Sequence, residues 1–268
     1  MNTTKKTDCV VCNQKTDPLF EVEILRKYQA TLYKCRRCNC AFFTKPNWLD
    51  EAYSKAISDL DTGLLERSVD ISNVLTPFLL FSKFRKEPVL DFGGGIGVLA
   101  RMMRDRGFRT SSHDPLAESV FSIPVLNAPY SPVITLIEVL EHLTNPMDTL
   151  RNLSTQSSLI FISTLTIPPE GIVPNWWYLL PDTGQHIFFP SSESFESIAK
   201  QLGWRYFGNG KNLHVLSAGP LNVIQKLVIK NQMFAWMLGH LMYPILRSRG
   251  LGKSDMTEIT ESIFGKNS

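Results

Sequence analysis

The sequence has 268 residues and a formal net charge of +3, with 43% hydrophobic and 20% charged residues. This composition excludes a disordered or collagen-like chain and is typical of a globular protein with an apolar core. The small net charge gives no reason to expect nucleic-acid binding. Residues 1–12 contain no apolar run of signal-peptide length, so the sequence predicts a cytoplasmic protein with five reduced cysteines.

Four cysteines near the N-terminus form two CxxC pairs separated by 22 residues. The pairs are Cys9 with Cys12 and Cys35 with Cys38. Each CxxC turn presents two thiolates on one side, and four thiolates complete a tetrahedral zinc site with no open position for catalysis. The spacing therefore predicts a small zinc-ribbon-like module over residues 1–47, held by a structural zinc. Cys40 is predicted not to be a ligand.

The same module, residues 1–47, carries an excess of positive charge. It holds nine lysines and arginines against four acids. This excess either keeps a small module soluble or attracts a phosphorylated partner. The sequence leaves both alternatives open.

The middle of the chain changes periodicity at about residue 87. Residues 48–86 have apolar residues at helical spacing and predict a helical linker. These residues are Leu49, Ala52, Tyr53, Ala56, Ile57 and Leu60. Residues 87–218 alternate apolar strands with helical stretches, which predicts an α/β fold with a Rossmann-like, mostly parallel seven-stranded sheet and flanking helices. Residues 192–203 begin with a serine cap and end at a glycine, which predicts a helix. A Gly-Asn-Gly turn at 208–210 predicts that this sheet ends in a hairpin.

The last segment, residues 219–268, is predicted to be helical. Its apolar stretch from Leu221 to Leu246 is interrupted by Gln225, Lys226 and Lys230, so no run reaches the length of a membrane span. Aromatic and basic residues lie close together in this segment, a pattern compatible with a peripheral membrane contact. A helical cap or a dimer contact explains the same pattern and is the preferred interpretation. The oligomeric state stays open.

A glycine-rich turn follows the first strand of the middle segment. Its residues are Asp91, Gly93, Gly95 and Gly97, and the acid Asp114 follows the next strand. A dinucleotide-binding fingerprint would need a glycine at position 98, where the chain has Val98. The turn is either a tight strand-to-helix connection or a cofactor loop, and Asp114 either caps the next helix or accepts hydrogen bonds from a ribose.

A second group of polar residues follows the two central strands. Glu138, Glu141 and His142 follow one strand, and Tyr178 and His186 follow the next. In a doubly wound sheet these strand ends open onto one ligand crevice, so the residues are expected to gather at its mouth. Two close carboxylates and imidazoles predict either a divalent-metal site or an acid-base site with His186 as general base. Trp176 and Trp177 either form a pocket wall or pack in the core.

These three elements resemble the motifs of class I S-adenosylmethionine (SAM)-dependent methyltransferases over about half of the chain. The resemblance implies that Gly93, Gly95 and Gly97 make room for SAM, that Asp91 lies near its ammonium and that Asp114 holds its ribose. It also implies a cofactor-binding role for Glu138. The Glu-x-x-Glu-His pattern at 138–142 is shared with small-RNA 2′-O-methyltransferases and ubiquinone-pathway O-methyltransferases, and the RNA enzymes add a later histidine, comparable to His186, that completes a Mg²⁺ or Mn²⁺ site.

The order of a four-cysteine module and a SAM domain resembles methyltransferases of bacterial sugar, polysaccharide and secondary-metabolite pathways. The resemblance implies methyl transfer to a small molecule or glycan, with a hydroxyl oxygen as the expected acceptor and catalytic roles for Glu141, His142, Tyr178 and His186. Sugar C-methyltransferases with such a module carry a long extra C-terminal domain that this sequence lacks, so C-methylation is an alternative. RNA methylation is a second alternative, with a different zinc spacing. A non-enzymatic scaffold fits poorly with the intact cofactor motif.

Overall fold

The computed structural model describes residues 7–54, 62–121 and 131–264. The strands are β1 (Thr16–Ile24), β2 (Tyr28–Cys35), β3 (Ala41–Phe43), β4 (Val89–Phe92), β5 (Thr110–His113), β6 (Val133–Ile137), β7 (Leu159–Ser163), β8 (Phe188–Phe189), β9 (Arg205–Gly208) and β10 (Leu213–Ser217). The helices are α1 (Leu49–Ala52), α2 (Leu64–Leu80), α3 (Val98–Arg104), α4 (Pro146–Thr155), α5 (Ser192–Leu202), α6 (Val223–Lys230), α7 (Gln232–Arg247) and α8 (Gly252–Phe264). Two further short 3₁₀ turns span Leu140–His142 and Trp177–Leu179.

The chain forms two compact units, and each is built from two separate stretches of sequence. The first unit comprises the described parts of Met1–Leu60 and Ile137–Pro220. The second comprises the described parts of Asp61–Leu136 and Leu221–Ser268. The predicted division of the chain into domains at 1–47, 48–86, 87–218 and 219–268 remains a prediction.

In the first unit, the N-terminal strands and a later strand form one four-stranded sheet in the order β1-β2-β3-β8. β3 pairs antiparallel with β8, with Phe42 opposite Phe188. The side chains of this sheet share a core with the loop that follows β7. Its largest members are Ile24, Leu32, Phe43, Trp48, Tyr178 and Phe189. The cysteine-containing strands therefore have no separate core of their own among the described residues, because they bury their apolar side chains against residues 178–189.

Backbone hydrogen bonds order the other six strands as β5-β4-β6-β7-β10-β9. β4 pairs parallel with both β5 and β6, whereas β10 pairs antiparallel with β7 and β9. The predicted hairpin at the end of the sheet is confirmed. The predicted seven-stranded sheet is corrected to a mixed six-stranded sheet within the described ranges. One physical reason is that β8, which follows β7 in the chain, pairs with β3 in the other sheet instead of extending this one.

The predicted helix at 192–203 shows how local sequence sets its ends. The Ser191 hydroxyl oxygen accepts a hydrogen bond from the backbone N–H of Ser194, and the Ser194 hydroxyl oxygen accepts one from the backbone N–H of Ser191. This reciprocal pair satisfies two amide groups that a helix start otherwise leaves unpaired. Gly203 ends α5 in the left-handed conformation that glycine adopts without strain. Of the predicted linker helix at 48–86, the structure shows α1 and α2, and Ala56, Ile57 and Leu60 lie outside the described residues.

The second unit packs the C-terminal helices against α2. Gly239 of α7 approaches the backbone of α2 so closely that an added Cβ would lie 1.8 Å from the carbonyl oxygen of Asn73. The indole N–H of Trp236 donates a hydrogen bond of 2.7 Å to Asp70. On α8, the buried carboxylate of Asp255 accepts hydrogen bonds from the guanidinium of Arg104. Among the described residues, no helix has the length and hydropathy required to cross a membrane.

We expect Gly239→Ala to destabilise the protein, because the new methyl group overlaps the Asn73 carbonyl and forces α7 away from α2. Overpacking of this kind costs about 1–3 kcal/mol of unfolding free energy. Urea denaturation measures the loss. Gly252→Ala is the matched control, because a Cβ at this helical position meets nothing within 4 Å. Equal stability of the two variants would contradict the close packing of α7 on α2.

Candidate functional site

The glycine-rich loop, residues 93–97, connects β4 to α3 in the second unit. Gly93, Gly95 and Gly97 have φ angles of 72°, 54° and 86°, in the left-handed region where other residues are strained. The Gly95 amide donates a hydrogen bond of 2.9 Å to Asp114. The other carboxylate oxygen of Asp114 accepts from the Leu116 amide at 2.8 Å. Asp114 therefore fixes the loop and caps the turn that follows β5.

Asp91 lies at the base of this loop and is 1% exposed. Its Oδ1 accepts a hydrogen bond of 2.7 Å from Thr135 on the neighbouring strand β6. Burial raises the pKa of Asp91 to about 7, although the Thr135 hydroxyl opposes the shift. The backbone of Gly94 packs over the carboxylate, since an added Cβ would lie 2.4 Å from Asp91 Oδ2 and 2.5 Å from Ser112 Oγ. A buried acid with such a pKa is poised to pair with a cationic group.

The Glu-His cluster, which consists of Glu138, Glu141, His142, Tyr178 and His186, lies in the first unit. The Tyr178 hydroxyl donates toward both carboxylates, at 3.1 Å to Glu138 Oε2 and through a shorter contact to Glu141 Oε1. Burial raises the pKa of Glu141, and burial together with both carboxylates raises that of Tyr178. One hydroxyl proton cannot serve two ionised carboxylates fully, so the arrangement favours a shared proton or a bound cation.

The Nδ1 atom of each imidazole in the Glu-His cluster lies at hydrogen-bond distance from a backbone carbonyl. His186 Nδ1 lies 2.8 Å from the Tyr178 carbonyl oxygen, and His142 Nδ1 lies 3.1 Å from that of Gln185. A carbonyl only accepts, so Nδ1 of His186 carries the proton and its Nε2 is the basic nitrogen, whereas Nδ1 of His142 also lies 2.9 Å from the Tyr53 hydroxyl, which can donate to it. Ligand atoms of Glu141, His142 and His186 all lie within 4.8 Å of one another. Glu141 Oε2 is buried and has no hydrogen-bond partner within the described ranges.

The predicted gathering of Glu138, Glu141, His142 and His186 is thus present in the structure. Glu138, Glu141 and His142 do not share one helical face. Glu138 follows β6 with φ 52°, in the left-handed region, and Glu141 and His142 occupy a 3₁₀ turn. A residue other than glycine in this conformation costs about 1–2 kcal/mol, which hydrogen bonds offset. The Glu138 amide donates to the Ser163 carbonyl at 2.9 Å, and the Ser163 hydroxyl donates to Glu138 Oε1 at 2.7 Å.

The cysteine cluster lies at one end of the N-terminal sheet. The Sγ atoms of Cys9, Cys12, Cys35 and Cys38 all lie within 4.8 Å of one another. Cys9 and Cys38 are 3.6 Å apart, and Cys12 and Cys35 are 3.4 Å apart. Four thiolates around a zinc ion at the usual Zn–S distance are ~3.8 Å apart, so the spacing fits this ion closely. Hydrogen bonds from Cys38 and Cys40 lower the pKa of Cys9, which favours the metal-binding thiolate.

A family model described as a methyltransferase domain matches residues 67–207, slightly more than half of the chain. The chain belongs to this family of methyltransferase domains. The prediction of a SAM-dependent methyltransferase is therefore confirmed at the level of the family. No curated protein matches the sequence.

Several solved structures resemble part of this chain in fold. TnmH is 18% identical, with a TM-score of 0.46 over 65% of this chain and 62% of its own. An O-methyltransferase family protein from Burkholderia thailandensis is 13% identical, with a TM-score of 0.45 over 66% of this chain and 68% of its own. The mitomycin 7-O-methyltransferase MmcR is 17% identical, with a TM-score of 0.44 over 57% of this chain and 54% of its own. The chain thus spans less than two thirds of the length of TnmH and MmcR.

Sequence reasoning missed several residues that belong to the two candidate sites. Thr135 and Ser112 flank Asp91 on the strands beside it, and a central strand position gives no sign of such a role. Tyr53 was counted as an apolar linker residue, yet its hydroxyl lies 2.9 Å from His142 Nδ1. Trp177 is 66% exposed, whereas Trp176 is half-buried and packs with tilted rings against Tyr178 and Phe189. Cys40, which is predicted not to be a ligand, has its Sγ 3.4 Å from Cys9 Sγ and so contacts the cluster.

We expect the purified protein to contain about one equivalent of zinc per chain, because four cysteine Sγ atoms converge at tetrahedral spacing. Cys35→Ser should lose the zinc, since three thiolates bind it far more weakly. Elemental analysis by mass spectrometry measures the content. Cys40→Ser is the matched control, since it removes a buried thiol that contacts the cluster without belonging to the four-cysteine set. Loss of zinc in Cys40→Ser, with retention in Cys35→Ser, would show that the ligand set is wrong.

Proposed function

We propose that this methyltransferase transfers the methyl group of SAM to a hydroxyl oxygen of a small molecule or glycan. The observation that carries the proposal is the Glu-His cluster, in which ligand atoms of His142, His186 and the buried Glu141 carboxylate lie within 4.8 Å of one another. A hydroxyl must lose its proton when its oxygen takes a methyl group, and neutral imidazole is suited to accept that proton near pH 7. An acceptor with no ionisable proton would have no use for this group of residues.

The glycine-rich loop and Asp91 are proposed to bind SAM, which supplies an electrophilic methyl group on a sulfonium. Two features of the structure fit a ligand of this kind. The loop backbone lies so close to Asp91 that Gly94 leaves no space for a side chain. The hydroxyl of Ser112 is buried and has no hydrogen-bond partner among the described residues. Asp91 would pair with the ammonium of the cofactor, and Asp114 would accept from its ribose hydroxyls in addition to holding Gly95.

We expect affinity for S-adenosylhomocysteine to fall about tenfold from pH 8 to pH 6, because Asp91, with a pKa of about 7, takes up a proton over this range. The ligand-free protein should show the opposite trend. A carboxyl whose folded pKa is raised from 3.8 stabilises the fold while protonated, so this contribution is lost as pH rises from about 4 to about 7. Calorimetry measures the affinity at each pH. Thermal unfolding measures the stability of the ligand-free protein.

Asp91→Asn is the control for this pair of measurements, because the amide has the same shape and does not titrate. Both pH trends should flatten in this variant, and binding should weaken at pH 8. Gly95→Leu should abolish binding at every pH, since a side chain at φ 54° strains the loop and fills the proposed ligand space. A pH dependence that persists in Asp91→Asn would assign the titration to another group.

His186 is the proposed general base. Its Nδ1–H is held by the Tyr178 carbonyl, which orients the ring and leaves Nε2 to take the acceptor proton. The oxygen–methyl bond forms as the carbon–sulfur bond breaks, and the released proton passes to Nε2. Glu141 is the acid of the cluster that can stabilise the resulting imidazolium. Tyr178 holds the two carboxylates apart from each other and fixes their orientation.

Glu141, His142 and His186 would also suit a divalent cation. Two imidazoles and one carboxylate favour Mn²⁺ over Mg²⁺, because Mg²⁺ prefers an all-oxygen shell. A bound cation would lower the pKa of the acceptor hydroxyl. In that case the histidines are ligands and none of them accepts the proton. The chelator arm of the assay below separates the two roles.

The acceptor is identified first, by mass spectrometry of native cell extract incubated with the protein and isotopically labelled SAM. We expect a small molecule or glycan that gains one labelled methyl group on oxygen. A label on carbon would point to C-methylation, and a label in RNA would point to an RNA methyltransferase. Either result would overturn the proposed acceptor while leaving the cofactor assignment standing.

His186→Ala should then lower kcat for this acceptor by about 10²–10⁴-fold, the usual contribution of a general base, with little change in affinity for S-adenosylhomocysteine. His240→Ala, which removes an exposed imidazole of α7, is the matched control and should keep wild-type activity. Chelator should leave the wild type active if His186 is the base. Activity lost to chelator and restored by Mn²⁺ would assign the metal role, and activity that survives both treatments would remove the cluster from the mechanism.

A further inference from the structure

The outer face of α7 carries a row of large apolar side chains that are open to solvent. Met233, Met237, Leu241 and Ile245 recur at every fourth residue and are 52–79% exposed. We call these four residues the apolar stripe. Phe234, which is 50% exposed, lies beside its first member. Scattered exposed hydrophobic residues are normal on a soluble protein, but an ordered row along one helix face marks an interaction surface.

The apolar stripe is a consequence of how α7 packs. The buried residues on the opposite side of this helix include the two small ones, Ala235 and Gly239, and Gly239 contacts the backbone of α2 at Asn73. Close approach of two helix backbones requires small residues at the contact. The four large apolar residues of the stripe are left on the outer face, where the described residues of the second unit leave them exposed.

The sequence around the apolar stripe is uniformly basic. Residues 221–254 contain five lysines and arginines and no aspartate or glutamate. The basic residues are Lys226, Lys230, Arg247, Arg249 and Lys253, and all are exposed. An apolar helix face with basic neighbours and no acids is complementary to an apolar layer beneath negative headgroups.

A cavity of about 230 Å³ opens at the end of the apolar stripe. It is lined by Leu80, Phe81, Arg85, Met242, Ile245, Leu246 and Arg249. Ile245 belongs both to the stripe and to the cavity wall, so the two features are continuous. Neither Arg85 nor Arg249 has a carboxylate partner within the described ranges. Two guanidinium groups at the wall of an otherwise apolar cavity suit an anionic headgroup whose acyl chain lies on apolar residues.

We propose that the outer face of α7, with the Arg85 and Arg249 cavity, docks on an anionic phospholipid surface. The apolar stripe enters the acyl boundary, and the two arginines bind lipid phosphate. The charge argues against a second copy of this chain as the occupant, because two such faces would bring together ten lysines and arginines from stretches that contain no aspartate or glutamate. The contact is peripheral, since no described helix is long and apolar enough to span a membrane. This inference does not depend on the proposed methyl acceptor.

Vesicle co-sedimentation tests the proposal with the full chain. Vesicles of phosphatidylcholine alone are compared with vesicles that contain phosphatidylglycerol, each at low salt and at roughly 0.5 M salt, which shortens the Debye length to a few Å. We expect binding to the anionic vesicles at low salt, weaker binding at high salt, and little binding to phosphatidylcholine. No binding to anionic vesicles at low salt would overturn the proposal.

Two double variants separate the apolar and the charged parts of the surface. Leu241→Gln with Ile245→Gln should weaken binding by about tenfold or more, because two large side chains no longer enter the acyl layer. Arg85→Gln with Arg249→Gln should weaken it by about tenfold and reduce its salt dependence. All four side chains are exposed, so thermal unfolding should confirm that both variants remain folded.

Matched controls use equivalent residues of the first unit. Leu19→Gln with Val173→Gln removes two exposed apolar side chains, and Lys200→Gln with Lys211→Gln removes two exposed charges. Both controls should bind vesicles like the wild type. If they weaken binding as much as the α7 variants, the attraction is general and the docking surface is not α7. Analytical ultracentrifugation without lipid tests whether a second copy of the chain occupies the stripe instead. A dimer that is lost in Leu241→Gln with Ile245→Gln would show that a second copy covers the stripe and would overturn the lipid assignment.

Discussion

Tyr178 connects the packing of the first unit to its chemistry. Its ring lies in the apolar core beneath the N-terminal sheet, and its hydroxyl lies between the carboxylates of Glu138 and Glu141. Its carbonyl oxygen holds the proton-bearing nitrogen of His186. A hydroxyl placed between two acids is effective only if it cannot move, because each acid would otherwise turn toward water. The apolar core that surrounds the ring supplies this constraint.

The N-terminal sheet belongs to the same constraint. β8 lies between His186 and α5 in the chain and pairs with β3, and the Ser191 hydroxyl donates to the carbonyl of Cys38 at 2.7 Å. The Trp48 indole donates to the Gly184 carbonyl at 2.8 Å, two residues before His186. The cysteine cluster thus orders strands that hold the loop carrying Tyr178 and His186. A structural metal at this place would support the Glu-His cluster from a distance, without taking part in the reaction.

Local patterns in the sequence predicted local structure well. The strand before Gly93, the helix capped by Ser191 and the final hairpin all depend on residues within a few positions of each other. The polar residues after the two central strands were also expected to gather, because strand ends of a doubly wound sheet lie at one edge. These features follow from spacing alone.

Long-range pairings were not predictable in the same way. β8 has two residues, Phe188 and Phe189, and a strand of this length shows no periodicity that distinguishes it from a loop. Its pairing with β3 therefore left no trace in the sequence, and the sheet of 87–218 was given one strand too many for the described residues. Tyr53 is a similar case. Its position fits the helical spacing of a linker, so the sequence contains no sign of the hydrogen-bond contact between its hydroxyl and His142.

The C-terminal helices show why a sequence pattern can reveal an apolar segment without revealing its exposed face. The stretch from Leu221 to Leu246 has large apolar residues on more than one side of a helix, so periodicity does not select the side that is buried. Gly239 decides it. Glycine costs a helix about 1 kcal/mol relative to alanine, and the close approach of α7 to Asn73 offsets that cost. Because the side of α7 with the small residues packs on α2, Leu241 and Ile245 lie on the outer side. The exposed apolar face therefore follows from the tight packing of α7 on α2.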